Sequence, residues 1–369
     1  MIPVDAVARL RLIRTDSVGP ITYRQLIARF GSADAAIAAL PDLARRGGRA
    51  LAITPASEAE AELAALDQIG ATMIFIGTPA YPALLAALDT APPVLAARGD
   101  TGLLDRPAVA IVGARNASAA GVRFARQLAS DLAAEDMVVV SGLARGIDAA
   151  AHQGAMQGGT IAVVAGGVDV VYPPEHAALM AEIAEKGLIL AEQKPGVEPQ
   201  ARHFPRRNRV IAGLAAGTLV VEGAPKSGSL ITARIAAEAG REVMAIPGSP
   251  LDPRAQGCNL LIREGATLVQ SAADVVEALS AFGHAGDGGQ ALGMRFKAAE
   301  SASWYDEPAA DAGDGERAMV AALLSPTPVA IDELVRLSGL PAAVVATVLL
   351  DLELAGALVR HAGGRVATG

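Results

Sequence analysis

Between residues 72 and 269, short runs rich in β-branched residues alternate with longer helix-forming segments. Nine runs have the length and composition of buried strands: 72–76, 94–97, 108–112, 137–140, 160–165, 188–191, 218–221, 242–246 and 267–269. Helix-forming segments separate most of them, including 119–134, 147–156, 175–185 and 229–239. This alternation predicts an α/β fold with a doubly wound, mainly parallel sheet. Ligands of such sheets bind at the carboxyl ends of the strands, which is where we expect a site.

The segments on either side of this region have different patterns, so we divide the chain into four parts. Residues 1–70 are predicted to form helices broken by Val18-Gly19-Pro20, a turn similar to those of helix–hairpin–helix and SAM-like modules. Such modules can hold a DNA backbone, although a small packing domain also explains the pattern. Residues 71–283 form the α/β domain. Residues 284–313, rich in Gly, Ala, Asp and Ser, are expected to be a linker that is disordered in part.

The last part, residues 314–369, has the pattern of three helices followed by a β-hairpin, which is typical of a winged-helix domain. Its third helix, predicted at 342–355, contains Asp351 and Glu353 but neither Lys nor Arg. A helix without basic residues is a poor reader of DNA. We therefore expect this domain to interact with protein.

Composition limits the class of protein. The formal net charge of −8 argues against a protein that coats nucleic acid with its whole surface, but it allows a local basic pocket. The single cysteine, Cys258, excludes an internal disulfide framework and is expected to be a buried structural thiol; the five histidines lack metal-ligand spacing, so no metal is predicted. Asp5 and nearby arginines argue against a signal peptide, and the longest uncharged apolar run, 210–221, is too short to span a bilayer. We expect a cytoplasmic protein that does not cross a membrane.

The densest positive charge lies in residues 202–209, which hold four arginines, a histidine and a phenylalanine but no acid. An apolar helical run is predicted to follow from residue 210, and then a strand at 218–221. Positive charge beside an aromatic residue and a helix N-terminus suits a phosphate backbone better than a neutral small molecule.

Three loops that follow predicted strands carry further polar residues. Arg115 follows the strand at 108–112, in a loop that lacks the G-x-G-x-x-G pattern, so a nicotinamide cofactor is not expected. Ser141 and Gly142 follow the next strand and allow close backbone approach to a ligand. Asp148 and His152 share a helix face, either as a catalytic pair or, as we favour, as structural residues. A third loop holds Asp169, Tyr172 and Glu175, either as ligands or as capping and packing residues.

The loop at 223–232 resembles a Walker A loop in the spacing of Gly223 and Gly228. The lysine, Lys226, comes too early, and Ser229 stands where Walker A has its lysine, so ATP hydrolysis is not predicted. Backbone N–H groups with Lys226, Ser227 and Ser229 can still bind phosphate. We interpret this segment as a binding loop.

Together these segments resemble the DNA-processing protein A family (DprA, also called Smf). The resemblance rests on Val-Gly-Ala-Arg at 112–115, Ser-Gly-Leu-Ala-Arg-Gly-Ile-Asp-Ala-Ala-Ala-His at 141–152, Tyr-Pro-Pro-Glu at 172–175, Phe-Pro-Arg-Arg-Asn-Arg-Val-Ile-Ala-Gly-Leu at 204–214, Val-Val-Glu-Gly at 220–223, Ser-Gly-Ser-Leu-Ile-Thr-Ala at 227–233, Pro-Gly at 247–248 and Gly-Cys-Asn-Leu-Leu-Ile at 257–262. It covers residues 80–280 strongly. The flanking parts fit the family architecture of a SAM-like domain, an extended Rossmann-like domain and a winged helix.

The resemblance implies a non-catalytic, cytoplasmic, homodimeric protein that binds single-stranded DNA without a cofactor. It would protect incoming strands and load the RecA recombinase during natural transformation. Carried over by motif, the DNA-binding residues would be Arg115, Ser141, Gly142, Arg202, Phe204, Arg206, Arg207, Asn208, Arg209, Lys226, Ser227, Gly228 and Ser229. A base stacked on Phe204 would add about 1–3 kcal/mol without sequence preference. Ala114 departs from the family pattern, because many members have serine there, and one hydroxyl contact is lost.

An enzyme remains the alternative. A Gly-rich loop after a strand that ends at Glu222 also resembles nucleotide phosphoribohydrolases of the lysine-decarboxylase-like group, in which Glu222 would stabilise a ribosyl cation. The arginine-rich segment at 202–209 favours DNA, because a mononucleotide does not need four arginines.

Overall fold

The structure is a computed structural model that describes residues 3–46, 51–284, 312–361 and 363–369. The described residues form two compact units. One contains the residues up to Ala61 together with those from Ala312 onward, and the other contains Glu62 to His284. Most of the predicted linker at 284–313 lies outside the described residues.

The N-terminal segment is helical, as predicted. Its helices are α1 (Ala6–Arg14), α2 (Pro20–Phe30), α3 (Ala33–Arg46) and α4 (Ala56–Gln68). Helix α2 begins with Pro20, whose missing N–H is not needed in the first turn, and ends at Gly31. The φ of +77° at Gly31 allows its N–H to bond to the Ile27 carbonyl, which closes the helix.

All nine predicted strands are present in one sheet. They are β1 (Ala71–Phe75), β2 (Val94–Gly99), β3 (Ala108–Val112), β4 (Val138–Ser141), β5 (Thr160–Val164), β6 (Leu188–Ala191), β7 (Gly217–Val220), β8 (Glu242–Ala245) and β9 (Thr267–Leu268). The strand order is β1-β2-β6-β5-β4-β3-β7-β8-β9. The strands from β6 to β9 in this order are parallel, whereas β2 pairs antiparallel with both β1 and β6. The prediction of a mainly parallel sheet is confirmed.

Helices cover both faces of the sheet. They are α5 (Ala83–Ala86), α6 (Ala119–Ala134), α7 (Ile147–Ala155), α8 (Ala177–Lys186), α9 (His203–Leu214), α10 (Gly228–Glu238), α11 (Gln256–Arg263) and α12 (Ala272–His284). Alternate residues of β3 enter different cores, since Val109 and Ile111 pack with α6 and α7 whereas Ala110 and Val112 pack on the side of α9. Burial on both faces explains why these strands are continuously apolar.

The C-terminal segment forms the predicted winged-helix domain. Its elements are α13 (Asp314–Leu323), β10 (Val329–Ala330), α14 (Ile331–Ser338), α15 (Ala342–Leu354), β11 (Leu358–His361) and β12 (Arg365–Thr368). In the same unit, α15 contacts α3, and the Thr22 hydroxyl donates to Glu353 Oε2 at 2.8 Å. Arg360 Nε donates to the same oxygen at 2.9 Å.

A search of the described residues finds no single helix that is long and apolar enough to cross a membrane. Helices α14 and α15 together are long and apolar enough to cross a membrane by length and composition alone, but they are bent by 117° relative to each other.

Candidate functional site

The basic segment at 202–209 is largely the beginning of α9. The helix starts at His203, and Pro205 lies in its first turn, where a proline is tolerated. The sequence-based prediction started the helix at residue 210 and was therefore wrong about where it begins. The arginines and the apolar run belong to one helix, so helical spacing determines how they are arranged.

Side chains three and four positions apart share one side of a helix. Phe204, Arg207 and Asn208 consequently lie on the same side of α9. Phe204 and Asn208 are half-buried, Arg207 is buried, and Arg202 and Arg206 are exposed to solvent. The helix thus separates buried from exposed arginines.

The loops that follow β3, β4 and β5 meet α9 around an open cavity at the carboxyl edge of the sheet. The cavity contains about 490 Å³ of empty space, a volume that includes the open solvent at its mouth. All four elements contribute to its wall, which includes Arg115, Gly142, Arg145, Tyr172, Phe204 and Arg207. The structure therefore brings four of the predicted DNA-binding residues together with Tyr172, which the sequence offered as a ligand or a packing residue, and it adds Arg145.

An aromatic ring surrounded by cations lies at the centre of this wall. The guanidinium carbon of Arg115 is 5.2 Å from the centroid of the Phe204 ring, and that of Arg207 is 6.0 Å from it. The Tyr172 ring lies 5.8 Å from Phe204 at an interplanar angle of 59°. Guanidinium groups within about 6 Å of a ring are attracted by its negative face. Phe204 therefore helps to hold Arg115 at the opening.

Arg207 is held from below by a buried acid. Its Nη1 is 3.9 Å from Oδ2 of Asp148, and both side chains are 7% exposed. The same carboxylate oxygen accepts hydrogen bonds from the N–H groups of Gly142 and Ala144, at 3.1 and 3.3 Å. Burial raises the pKa of Asp148 and lowers the pKa of Arg207, while each charge favours the ionised form of the other.

Gly142 is required because Arg207 passes directly over it. A Cβ atom at this position would lie 1.2 Å from Arg207 Nη1. The close backbone approach predicted for Gly142 is therefore used within the protein, where it seats the guanidinium.

His152 supports the loop after β4 as a neutral side chain. Its Nδ1 is 2.7 Å from the Thr160 hydroxyl, which itself donates to the Val139 carbonyl, so Nδ1 carries the proton. Its Nε2 accepts the N–H of Leu143 at 3.3 Å and holds that residue at a φ of +54°. Burial, with Arg207 and His176 nearby, lowers the pKa of His152 to about 3. Asp148 and His152 thus position the loop, in agreement with the structural role favoured above.

Ser141 requires a correction. We expected it to contact the ligand, but its side chain is fully buried and its hydroxyl donates to the Ile111 carbonyl at 2.6 Å. This serine is the last residue of β4, and its alternation in the strand turns it into the sheet. It supports the loop from within.

Arginines at this edge also pair with acids from other elements. Arg145 Nε donates to Glu175, and this hydrogen bond lowers the pKa of the Glu175 carboxyl. Arg209 donates to Glu192, which follows β6, and it is not among the residues that line the cavity. Arg209 is therefore paired with an acid of the protein, and its contact with the ligand stays a prediction.

The other predicted residues of the third loop have separate positions. Asp169 accepts the Gly196 N–H at 2.9 Å and fixes the loop. Tyr172 is 45% exposed in the cavity wall, where it is available to a ligand.

The loop at 226–229 lies beside α9. Asn208 Nδ2 donates to the Gly228 carbonyl at 3.4 Å and links the two elements. Lys226 is exposed, whereas Ser229 is buried and the hydroxyls of Ser227 and Ser229 lie 2.8 Å apart. Of this loop, Lys226 is the residue best placed to meet a phosphate.

Glu222 does not face the cavity. Its two carboxylate oxygens accept the N–H and the hydroxyl of Ser118, at 2.9 and 2.5 Å, at the N-terminus of α6. Both oxygens are used to stabilise a helix end, which disfavours a role in ribosyl transfer. Cys258 is fully buried, and burial, with Glu222 nearby, raises the pKa of its thiol to about 12, so it is a structural residue.

Within the ranges that the structure describes, no group of three or more His, Cys, Asp or Glu side chains is placed to hold a metal ion. The fold and the site together define a class: an α/β protein that presents cations and aromatic rings at the carboxyl edge of a parallel sheet, suited to phosphate and base.

Comparison with known proteins gives the family. Residues 72–280 match the profile described as DNA recombination-mediator protein A, residues 3–65 match a DprA-like N-terminal HHH domain, and residues 306–364 match a DprA winged helix domain. The chain is 35% identical to Protein Smf of Escherichia coli over 98% of this chain and 96% of that protein. It is 44% identical to DNA processing protein DprA of Bacillus subtilis over 59% of this chain and 74% of that one. The chain belongs to the DNA recombination-mediator protein A family.

Solved structures agree with this assignment. The X-ray structure of DprA from Streptococcus pneumoniae has a TM-score of 0.63 and 36% identity, covering 75% of this chain and 98% of that chain. A DprA structure from Helicobacter pylori, which concerns a single-stranded DNA binding mode, has a TM-score of 0.52 and 29% identity, covering 57% of this chain and 96% of that chain. A DNA-processing role of the DprA type follows from family and fold.

Proposed function

We propose that this chain binds single-stranded DNA at the carboxyl edge of its sheet, as a mediator of recombination without catalytic activity. The observation that carries the proposal is the cluster in which Arg115 and Arg207 flank Phe204 in the wall of an open cavity. Guanidinium groups hold phosphates, and aromatic rings hold unpaired bases. The DNA-binding mode named for the Helicobacter pylori relative supports the same ligand class.

Most of the proposed contacts come from residues that are exposed or half-exposed, whereas Gly142 and Ser229 are buried and would contribute through their backbone. Arg115, Arg202, Arg206 and Lys226 are exposed cations that would meet phosphates. Phe204, Asn208, Gly142 and the loop residues Ser227, Gly228 and Ser229 would complete the surface. Arg207 acts mainly by holding Phe204.

Oligonucleotide titration tests this proposal. Fluorescence anisotropy should give tighter binding for a labelled single strand than for the duplex of the same sequence. The slope of log affinity against log salt should be about −3, because four phosphate contacts contribute about −0.7 each. Equal duplex affinity, or a response that is flat in salt, would contradict a site built on the backbone and unpaired bases.

Two arginine variants form a matched pair for the same assay. Arg115→Ala should weaken binding roughly tenfold and reduce the salt slope by about 0.7, because one charge-assisted contact is lost. Arg106→Ala removes the same charge at the opposite edge of the sheet, where Arg106 pairs with Asp136 at 2.6 Å, and it should leave affinity unchanged. Equal losses in both variants would point to general charge and remove Arg115 from the site.

The wider role has separate tests. We propose that the protein acts in the cytoplasm as a homodimer, protects single strands and loads RecA onto them. Sedimentation analysis should show a dimer, and added protein should speed RecA assembly on a single strand. Unchanged RecA kinetics would remove the loading role while leaving DNA binding intact.

A further inference from the structure

Tyr172 presents the more open aromatic surface of the cavity wall. It is 45% exposed, whereas Phe204 is half-buried and is approached by two guanidinium groups and by Tyr172 itself. A base can stack on Phe204 only where a guanidinium does not already lie. Within the part of the chain that the structure describes, no guanidinium lies over the ring of Tyr172.

We propose that Tyr172 is the residue on which a nucleobase stacks, and that Phe204 is a positioning residue that holds Arg115. This inference rests on the proposed binding of single-stranded DNA and adds the base subsite to it. It also changes the sequence-based expectation, which placed the stacked base on Phe204.

The loop that carries Tyr172 is fixed at several points. Gly167 N–H bonds to the Val197 carbonyl at 2.8 Å, and Val170 N–H bonds to the Gly167 carbonyl at 3.0 Å. Glu175, three residues after Tyr172, holds Arg145 of the neighbouring loop. A ring on a fixed loop loses little freedom when a ligand binds, so its stacking energy is retained.

The surroundings of Tyr172 suit an unpaired base of any sequence. Val170 and Pro173 provide apolar wall beside the ring, while Arg115 and Arg145 line the same cavity and can meet the adjoining phosphates. Every base has a π-face, so stacking gives affinity without sequence selection. A paired base keeps its faces in the duplex stack, which explains the expected preference for single strands.

Full-length variants at the two aromatic positions separate their roles. Tyr172→Ala and Tyr172→Leu should bind a labelled oligothymidylate roughly 5- to 140-fold more weakly, since one base stack contributes about 1–3 kcal/mol and 1.4 kcal/mol is tenfold. Their salt slope should not change, because no phosphate contact is lost. Tyr172→Phe should bind like wild type. Phe204→Ala should reduce the salt slope by about 0.7, because Arg115 is released.

An abasic oligonucleotide provides the second readout. It keeps the phosphates and removes the bases, so wild type and Tyr172→Leu should bind it equally. Tyr172→Leu retains apolar packing against Phe204, and its thermal unfolding reports whether the fold is intact. A folded Tyr172→Leu variant that binds oligothymidylate as tightly as wild type would overturn the inference, even though the wild type binds DNA. If Phe204→Ala binds oligothymidylate more weakly while its salt slope stays unchanged, the base stacks on Phe204 and the inference is wrong. If wild type binds neither oligonucleotide, the proposed function itself is wrong.

Discussion

Acid should destabilise the sheet-forming unit through one buried histidine, His152. The imidazole is neutral because burial, Arg207 and His176 lower its pKa from 6.5 to about 3. In the unfolded chain it regains a pKa of about 6.5. Between these two values the unfolded state therefore binds a proton that the folded state does not, so stability falls as the pH falls.

The size of the effect follows from the shift. Below about pH 6.5 the free energy of unfolding should fall by about 1.4 kcal/mol per pH unit because of His152. The total loss reaches about 2 kcal/mol at pH 5 relative to pH 8. Protonation of Nε2 would also remove the acceptor of the Leu143 N–H, which holds the cavity loop in its left-handed conformation. Because the folded histidine stays neutral down to about pH 3, this hydrogen bond persists between pH 5 and pH 8, and the DNA affinity of the folded protein should not depend on His152 in that range.

Urea unfolding followed by circular dichroism at about pH 8 and about pH 5 measures the effect. His152→Gln keeps an oxygen that can accept the Leu143 N–H but cannot titrate. The variant at about pH 8 gives the cost of the substitution itself, and between the two pH values it should lose about 2 kcal/mol less than wild type. Equal pH losses in wild type and variant would refute the account of His152 as a buried neutral group.

Three further outcomes are expected. Gly142→Ala should destabilise the protein by about 1–3 kcal/mol in urea unfolding, since its Cβ displaces the guanidinium of Arg207; a wild-type unfolding midpoint would contradict this. Glu222→Gln should lose only about 0.3–1 kcal/mol of stability, because Glu222 stabilises the N-terminus of α6. Neither this variant nor the wild type should release free base from a nucleoside monophosphate. Base release by the wild type that is lost in the variant would support the hydrolase alternative. Cys258 should react with a thiol reagent only after unfolding, because burial raises its pKa to about 12, and rapid labelling in native buffer would show that the site is open.

The main features of the fold were predictable because they depend on local pattern. Burial on both faces makes each central strand continuously apolar, and each such run in the sequence corresponds to a strand. The position of the site was predictable for a topological reason, since the loops after parallel strands meet at one edge. Arg115 and Gly142 were identified from that rule.

The partners of individual side chains were not predictable from local pattern. Ser141 looked like a loop residue, but it ends β4 and its hydroxyl turns to Ile111. Arg209 looked equivalent to Arg206 in the sequence. In the folded helix, however, Arg209 lies against Glu192 whereas Arg206 is exposed. These partners come from distant strands, and only the packed sheet brings them together.

The acids at this edge divide its arginines into two kinds. The Arg145–Glu175 pair is exposed and screened by solvent, so a phosphate can replace the carboxylate at little cost. The Arg207–Asp148 pair is buried, and separating such a pair costs about 3–5 kcal/mol because a charge remains unpaired in the interior. Arg207 therefore stays in place and fixes the aromatic cluster, whereas Arg145 is free to exchange partners. In the proposed complex with DNA, exposed cations would thus set the affinity and its salt dependence, and the buried pair would set the shape of the base subsite.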